Sequence, residues 1–279
     1  MIQKSYDGTP TLYLVPTPIG NMEDITLRAL NILKNVDLIL CEDTRESSIL
    51  LNKYNIHKKL VSCHKFNEKK IEDFIISHLK KNLNIALISD QGSPIISDPG
   101  YIVAKYVVDN GFNVVSLPGP TAFVPALSNS CISSDQFLFY GFLSGKKSKK
   151  ISELNRLKYF PYTIIFYDTP HDIISNLELM TDILGNREIS ISREISKLHE
   201  DVYRGKIFDY LKQNYILKGE FVIIVEGYTD NYDFGNMDIV SHVNFYINDG
   251  LTEMEAFKKV AKDRNLSKSI VYSEFQKKK

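Results

Sequence analysis

The chain has 279 residues, 43% hydrophobic and 24% charged, the proportions of a globular protein long enough for two domains that each bury a core. Its 34 basic and 34 acidic side chains cancel, which excludes a chain-wide field for nucleic acid and leaves any such binding to local patches. Cys41, Cys63 and Cys131 are odd in number, widely spaced and without a CxxC pair. That pattern argues against a disulfide framework and a zinc site and points to a reduced, cytoplasmic setting. The N-terminus lacks the apolar core of a signal peptide, and no run approaches the roughly 18 apolar residues needed to span a bilayer, so no membrane role is expected.

Residues Thr11–Val15 form a short β-type run that ends in the loop Pro16–Asn21, before a helical pattern carried by Ile25, Leu27, Leu30, Ile32 and Leu33. The loop holds neither GxGxxG nor GxxxxGK[ST], and Pro16 and Pro18 lack the N–H groups of a phosphate cradle, so a polyphosphate is not the expected ligand. Asp37–Cys41 is the next strand. It empties into Glu42, Asp43, Thr44 and Arg45, a candidate wall of a cleft, although Asp43 or Thr44 equally has the chemistry to cap the helix running through Ile49, Leu50 and Leu51. Leu60–Cys63 is a strand closed by His64, placed either to serve a site or to make structural hydrogen bonds. An amphipathic helix is expected over Asn67–Leu83, with Ile71, Phe74, Ile75 and Leu79 on one face.

Asn84–Ser89 has the unbroken apolar character of a strand covered on both faces, and Tyr101–Asp109 is helical. Between them lies a loop rich in Gly, Pro, Asp and Ser, from Asp90 to Pro99, longer than the two to six residues usual in such turns. Ligands of open α/β sheets bind at the carboxyl ends of strands, where free backbone groups and helix N-termini converge. Gly92 and Gly100 would let a ligand approach the backbone, while Pro94 and Pro99 stiffen the loop. Asn113–Leu117 follows, then the break Pro118–Ala122. This succession of strand, loop and helix predicts a mostly parallel, doubly wound sheet over residues 1–120.

The second half changes character. Gln136–Phe142 and Tyr162–Tyr167 are aromatic-rich strands separated by a basic loop, Lys146, Lys147, Lys149 and Lys150, and a helical segment through Leu157. Gly141–Gly145 reads as a loop leaving the strand, from which the lysines would project over the cleft. Pro170 opens a helix through Ile173, Ile174, Leu177, Leu179 and Ile183, and Arg187–Ser192 and Phe221–Val225 supply further strands. A second α/β domain over 121–235 is therefore expected, with the cleft between the domains as the small-molecule site. From Asn236 the pattern is helical: Ala256, Val260 and Ala261 share a face, Asn265–Ser267 interrupts, and Ser267 can cap a last helix with Ile270, Val271 and Phe275. This 236–279 module packs on the body, dimerises or touches nucleic acid.

These motifs resemble the tetrapyrrole methylase superfamily, S-adenosylmethionine-dependent enzymes with two α/β domains and the cofactor between them. The resemblance rests on Leu14–Asn21, Cys41–Arg45, Leu87–Tyr101, Leu117–Pro120, Phe166–Tyr167, Ser192–Glu194, Gly219–Glu220 and Val225–Gly227, in order over nearly the whole chain. Gln91 and Ser93 stand where many relatives have Ala and Thr, and Asp168–Pro170 replaces a more usual Glu-Ser-Pro. The motifs are nearest to the branch that methylates the ribose 2′-oxygen of a decoding-region cytidine in 16S ribosomal RNA within the small ribosomal subunit. The tail looks like that branch's helix-turn-helix-like module. The resemblance implies a cofactor site of Ile19, Gln91, Gly92, Ser93, Ile96, Thr121 and Ala122, with Asp168 as a further member, and a homodimer. No metal is expected, because the cysteines are dispersed, no HxxxH or paired-carboxylate pattern stands out and a sulfonium needs no Lewis acid. No motif assigns a general base. Glu42, Asp43 and His64 are candidates by location, Arg45 is a candidate phosphate contact, and the four lysines at 146, 147, 149 and 150 are candidate RNA contacts, with a solvated charge run as their alternative. A tetrapyrrole C-methyltransferase, which would share the cofactor site without needing the basic stretch or the tail, is the rival reading.

Overall fold

In the computed structural model the described residues are 2–5, 7–213, 217–229, 237–248 and 251–277. Asn236, where the helical module was expected to begin, and Lys278 and Lys279 lie outside them. The chain divides into two compact units, Met1–Tyr228 and Thr229–Lys279.

The first sheet is built by β1 (Thr11–Leu14), β2 (Leu38–Cys41), β3 (Lys59–Ser62), β4 (Ile85–Ile88) and β5 (Asn113–Ser116) in the order β3-β2-β4-β1-β5. Every neighbouring pair is parallel. Parallel strands need crossovers, and four helices provide them: α1 (Leu27–Asn35), α2 (Thr44–Lys53), α3 (Glu72–Leu79) and α4 (Tyr101–Asp109). Alternation along each strand assigns its two faces. Leu38 and Leu40 pack with Ile75, Leu79, Val103 and Val107 of α3 and α4. Ile39 and Cys41 pack with Ala29, Leu33 and Leu51 of α1 and α2. β2 and β4 are buried along their whole length, which is why they read as continuous apolar runs.

The helix expected from Asn67 is shorter. A single 3-10 turn, Glu68–Lys70, precedes α3 because Glu68 turns inward, where it is buried and its carboxylate accepts the N–H of Gly100. A charged side chain on the core side of that turn is stable only with such a partner.

Helix α5 (Phe123–Asn129) leads into the second sheet. Its strands are β6 (Phe137–Phe142), β7 (Thr163–Asp168), β8 (Glu188–Arg193), β9 (Asp201–Lys206) and β10 (Phe221–Val225), ordered β6-β7-β10-β8-β9. Only β6 and β7 are parallel; the remaining pairs are antiparallel. Helices α6 (Lys147–Leu157), α7 (Ile173–Leu184) and α8 (Ile207–Leu211) cover one face through Leu154, Leu177, Met180 and Ile207. On the other face, Ile165, Val222 and Ile224 meet Ala126 and Leu127 of α5 and Ile19 of the loop after β1. That packing joins the two sheets through an apolar seam.

The basic stretch is not a projecting loop. Lys147, Lys149 and Lys150 form the first turn of α6, and Lys146 stands just before it. Helical periodicity then separates their fates: Lys150 points inward, is 5% exposed and donates from Nζ to Asp172 Oδ1 at 3.0 Å. Lys150 is thereby corrected from an RNA-contact candidate to an internal ion-pair partner.

In the second unit, α9 (Ile239–Asn248), α10 (Glu253–Asp263) and α11 (Lys268–Lys277) enclose their own core of Val243, Tyr246, Ala256, Phe257, Val260, Val271 and Phe275. Ser267 takes the expected place before α11, accepting from Ile270 N–H at 3.4 Å. Among the described residues no helix is long and apolar enough to cross a membrane.

Candidate functional site: a cavity between the two sheets

The sequence places its proline- and glycine-rich loops at the carboxyl ends of β1, β4 and β5, and hydrogen bonds stitch those loops together. Thr17 and Gly92 exchange backbone N–H···O bonds of 2.9 and 3.0 Å. The Thr17 hydroxyl donates to the Ser89 carbonyl at 3.1 Å, the Ser89 hydroxyl to the Gly92 carbonyl at 2.9 Å, and the Ser93 hydroxyl to the Pro120 carbonyl at 2.9 Å. Thr17 and Ser89 are buried, so these bonds form away from competing water.

The central loop then follows an unusual path. Ile95 and Ser97 have φ of 76° and 68° and Gly100 has φ of 124°. For side chains with a Cβ such a conformation costs about 1–3 kcal/mol each and persists only where the surroundings impose it. They do so here. Ile95 N–H donates to the Pro99 carbonyl and Ile96 N–H to the Ser93 carbonyl, both at 3.3 Å, and buried Glu68 holds Gly100. A Cβ on Gly100 would come within 2.6 Å of Leu87 Cδ2, and one on Gly92, at φ 77°, within 3.3 Å of Ile19 Cγ2.

Beyond these loops lies a cavity of about 450 Å³, a size suited to one small-molecule ligand. On the side of the first sheet it is lined by Ile19, Glu42, Asp90, Gln91, Gly92, Ser93, Ile96, Ser97, Asp98, Thr121 and Ala122. Across from them, the second sheet contributes Phe142, Tyr167, Asp168, Thr169, Pro170, Ile195, Glu220, Phe221 and Val222. Every residue expected at a cofactor site therefore lines one cavity. Gln91 joins its walls: with the amide turned to satisfy both groups, its nitrogen donates to the Glu220 carboxylate and the Ile19 carbonyl at 3.2 Å. Phe123 N–H, beyond Thr121 and Ala122, donates to the Tyr167 hydroxyl at 3.2 Å.

The candidate bases separate. Glu42 lines the cavity, with its carboxyl pushed up by burial and by the charge of Asp90, against the opposing pull of His64. Asp43 does not line it. Its Oδ1 caps α2 by accepting Arg45 N–H at 2.8 Å, and the Arg45 side chain donates to Oδ1 and Oδ2 at 3.1 and 2.6 Å. That guanidinium holds the Asp43 carboxyl down at about 2. His64 also stands outside the cavity lining, where its Nδ1 accepts Phe66 N–H and its own N–H donates to Asn67 Oδ1. Asp168 lies in the lining but is 5% exposed, with Oδ1 bonded by Thr169 N–H at 2.7 Å and Oδ2 by Asn176 Nδ2 at 2.8 Å. Burial pushes its carboxyl up and those two bonds oppose the rise.

The sequence alone does not assign Asp90, Asp98, Tyr167 or Glu220 to the site. Asp98 is the most perturbed of the carboxyls facing the cavity. Burial first, then the charges of Glu42, Asp90 and Glu220, push it up to about 7. Its signal in the sequence is its place between Ser97 and Pro99, in the stretch where the loop must reverse. Glu220 becomes visible as a neighbour only when β10 is set against β7 and β8. The cavity thus carries excess acid, suited to a cationic ligand. Among the described residues no group of three or more His, Cys, Asp or Glu is arranged to hold a metal ion.

Comparison with known proteins agrees with this arrangement. Residues 11–210 match the family of tetrapyrrole (corrin/porphyrin) methylases. The chain is 43% identical to the ribosomal RNA small subunit methyltransferase I of Bacillus subtilis, over 98% of this chain and 97% of that protein. It is 40% identical to the protein of the same name from Halalkalibacterium halodurans, over 97% of each. Among solved structures, uroporphyrin-III-C-methyltransferase from Thermus thermophilus superposes with a TM-score of 0.55 at 18% identity, covering 77% of this chain and 94% of that one, a likeness of fold. With nearly full-length relatives at this identity, two sheets of the same architecture and the family's loops gathered around one cavity, the chain belongs to the tetrapyrrole (corrin/porphyrin) methylase family.

Proposed function

We propose that the protein transfers a methyl group from S-adenosylmethionine to the ribose 2′-oxygen of a decoding-region cytidine in 16S ribosomal RNA, acting on the small ribosomal subunit. The observation that carries this reading is the acidic cavity formed by the stitched loops, in a chain related end to end to proteins named for small-subunit ribosomal RNA methylation. Excess carboxylate suits a ligand bearing both a sulfonium and an ammonium, and the cavity volume suits one nucleoside-sized molecule. Ile19, Gly92, Ser93 and Ile96 would hold it from the first and central loops, and Thr121 and Ala122 from the break after β5. Gln91 would keep the two walls in register. Asp168, its oxygens already engaged, would fix the end of β7 rather than touch the ligand directly.

A sulfonium supplies an already activated leaving group, so the protein's task is alignment and removal of a proton, and no metal is needed. Lys146, Lys147 and Lys149 are exposed around the first turn of α6, which contains no acidic residue. That turn follows closely on Phe142 of the cavity wall, a position from which lysines would hold RNA phosphates beside the acceptor ribose. Arg45, exposed and paired with Asp43, would bind a further phosphate. A cytoplasmic homodimer completes the proposal, checked by light scattering against the monomer mass.

The deciding experiment offers methyl-labelled S-adenosylmethionine with either small subunits lacking the modification or a porphyrinoid precursor. Label recovered as 2′-O-methylcytidine is the expected result. Label in the porphyrinoid supports the C-methyltransferase rival, and label in neither overturns the reading.

A further inference from the structure

We infer that Asp98 is the general base of the reaction, its carboxylate taking the proton from the acceptor hydroxyl, and that Glu42, on the same wall of the cavity, tunes it. This rests on the proposed methyl transfer to a ribose oxygen. A ribose hydroxyl is a poor nucleophile near neutral pH, and a base matched to that pH supplies a large part of the rate.

Geometry selects Asp98. The Ile95 N–H···O=C Pro99 bond closes a short loop whose three inner residues, Ile96, Ser97 and Asp98, all line the cavity. The loop is pinned at Ser93 by the Pro120 carbonyl and at Gly100 by buried Glu68. Strained backbone at Ile95 and Ser97 is thus imposed from both sides, and its result is to present Asp98 to the ligand space. The other carboxylates of the lining are committed to the protein or less desolvated. Asp168 is bonded at both oxygens, Asp90 Oδ1 accepts Asp43 N–H at 3.2 Å, and Glu220 accepts from Lys197 and Gln91.

The charged groups acting on Asp98 come from every wall: Glu42 after β2, Asp90 from its own loop and Glu220 from the opposite sheet, with the Tyr167 hydroxyl of β7 in electrostatic reach. Burial and three like charges bring its carboxyl to about 7. At that value the carboxylate is abundant at cellular pH and still basic enough to take a proton. In the step itself the proton leaves the ribose 2′-oxygen for an Asp98 Oδ. The oxygen lone pair forms the bond to the methyl carbon, and the carbon–sulfur pair stays on sulfur as a neutral thioether.

Three variants test this: Asp98→Asn, Asp98→Glu and Glu42→Gln, each checked by melting and by calorimetric titration with S-adenosylhomocysteine. Asp98→Asn is expected to bind that ligand within about threefold of the parent while losing roughly 100-fold or more in kcat on small subunits. Its residual rate should no longer rise through neutral pH, and the carboxyl-carbon NMR resonance expected to titrate near 7 in the free parent should be absent. Asp98→Glu, which keeps a proton acceptor, should recover part of the rate. Removal of a like charge in Glu42→Gln should move the pH inflection lower without abolishing turnover. Asp98→Asn turning over at the parent rate with the parent pH profile overturns the assignment, and so does Glu42→Gln losing the rate while Asp98→Asn keeps it. A parent protein that leaves small subunits unmethylated overturns the functional reading as well, a result read before any variant is made.

Discussion

The two walls of the cavity are built by different means. On the first wall, parallel strands release loops at their carboxyl ends, and buried hydroxyls and backbone exchanges bind those loops into one rigid surface. On the second, β7 and β10 run antiparallel, so the carboxyl end of one meets the amino end of the other, Asp168 opposite Phe221. This wall presents aromatic side chains and two carboxylates with partners in the fold, Asp168 with Thr169 and Asn176 and Glu220 with Lys197. The difference teaches a division of labour. Left-handed residues occur on both walls, Ile95 and Ser97 on the first and Glu194 and Ser196 flanking Ile195 on the second. What separates the walls is charge, the first holding the carboxylates with fewer partners, where binding and chemistry are expected, while the second gives shape.

That division breaks first at Gly92. A branched side chain there would have to adopt φ 77° and would press on Ile19. Gly92→Val should therefore weaken S-adenosylmethionine binding by about 100-fold, or roughly 2.7 kcal/mol, in a protein that still folds. Calorimetry giving the parent affinity would remove the first wall from the binding surface. On the second wall, Tyr167→Phe loses one hydroxyl that accepts Phe123 N–H, and a far smaller effect is expected.

A second contrast concerns stability. The Asp98 carboxyl is raised from 3.8 to about 7 in the folded state, so between those values the folded protein holds a proton that the unfolded chain has released. Stability contributed by this group therefore falls as pH rises from about 4 to 7. Asp98→Asn removes the charge and should make the protein more stable at pH 8, by about 2 kcal/mol after discounting the full shift for partial solvent access. Denaturant melts at pH 5 and pH 8 read this directly. If Asp98 instead served the fold, as Asp168 does with Asn176, the variant would be less stable at both.

The lysines around the start of α6 sharpen the comparison between surface and interior. Replacing Lys146, Lys147 and Lys149 by Ala should weaken small-subunit binding roughly tenfold at moderate salt and flatten the slope of log K against log salt by about one unit for each phosphate no longer neutralised. Lys150→Ala should do the opposite, leaving the slope unchanged and lowering the melting temperature, since it empties the buried space the lysine stem fills and takes the partner from half-exposed Asp172. A quadruple replacement would confuse the two effects.

The sequence made the first sheet legible because burial on both faces writes β2 and β4 as unbroken apolar runs, and because loops of Pro, Gly and Ser stand out where those runs stop. Long-range pairing was harder to read. The order β6-β7-β10-β8-β9 depends on which strands meet across long stretches of chain, so Glu220 could not be seen beside the central loop. The fate of Lys150 turned on helical phase: the stretch resembles a charged loop until α6 is recognised to begin at Lys147. Asp98 was in view throughout. Its role was hidden because desolvation is a property of the assembled cavity and not of the residue.

The smallest effect is expected in the second unit, where stability is local. Thr252 caps α10 with a reciprocal pair: its hydroxyl oxygen accepts Glu255 N–H at 3.4 Å and Glu255 Oε2 accepts Thr252 N–H at 3.0 Å. The Thr252 hydroxyl also donates to Glu255 Oε2 at 2.6 Å. These bonds hold Glu255 below the usual carboxylate range and satisfy donors that the first turn of a helix otherwise leaves free. Thr252→Ala should destabilise the helical unit by about 1 kcal/mol, seen as earlier hydrogen exchange across Glu253–Asp263. Because Val243, Phe257, Val271 and Phe275 form a core separate from those of the two sheets, affinity for S-adenosylmethionine should not change. A matched loss of cofactor affinity in Thr252→Ala would mean that the helical unit and the cavity fold as one, and that the tail is not an independent body.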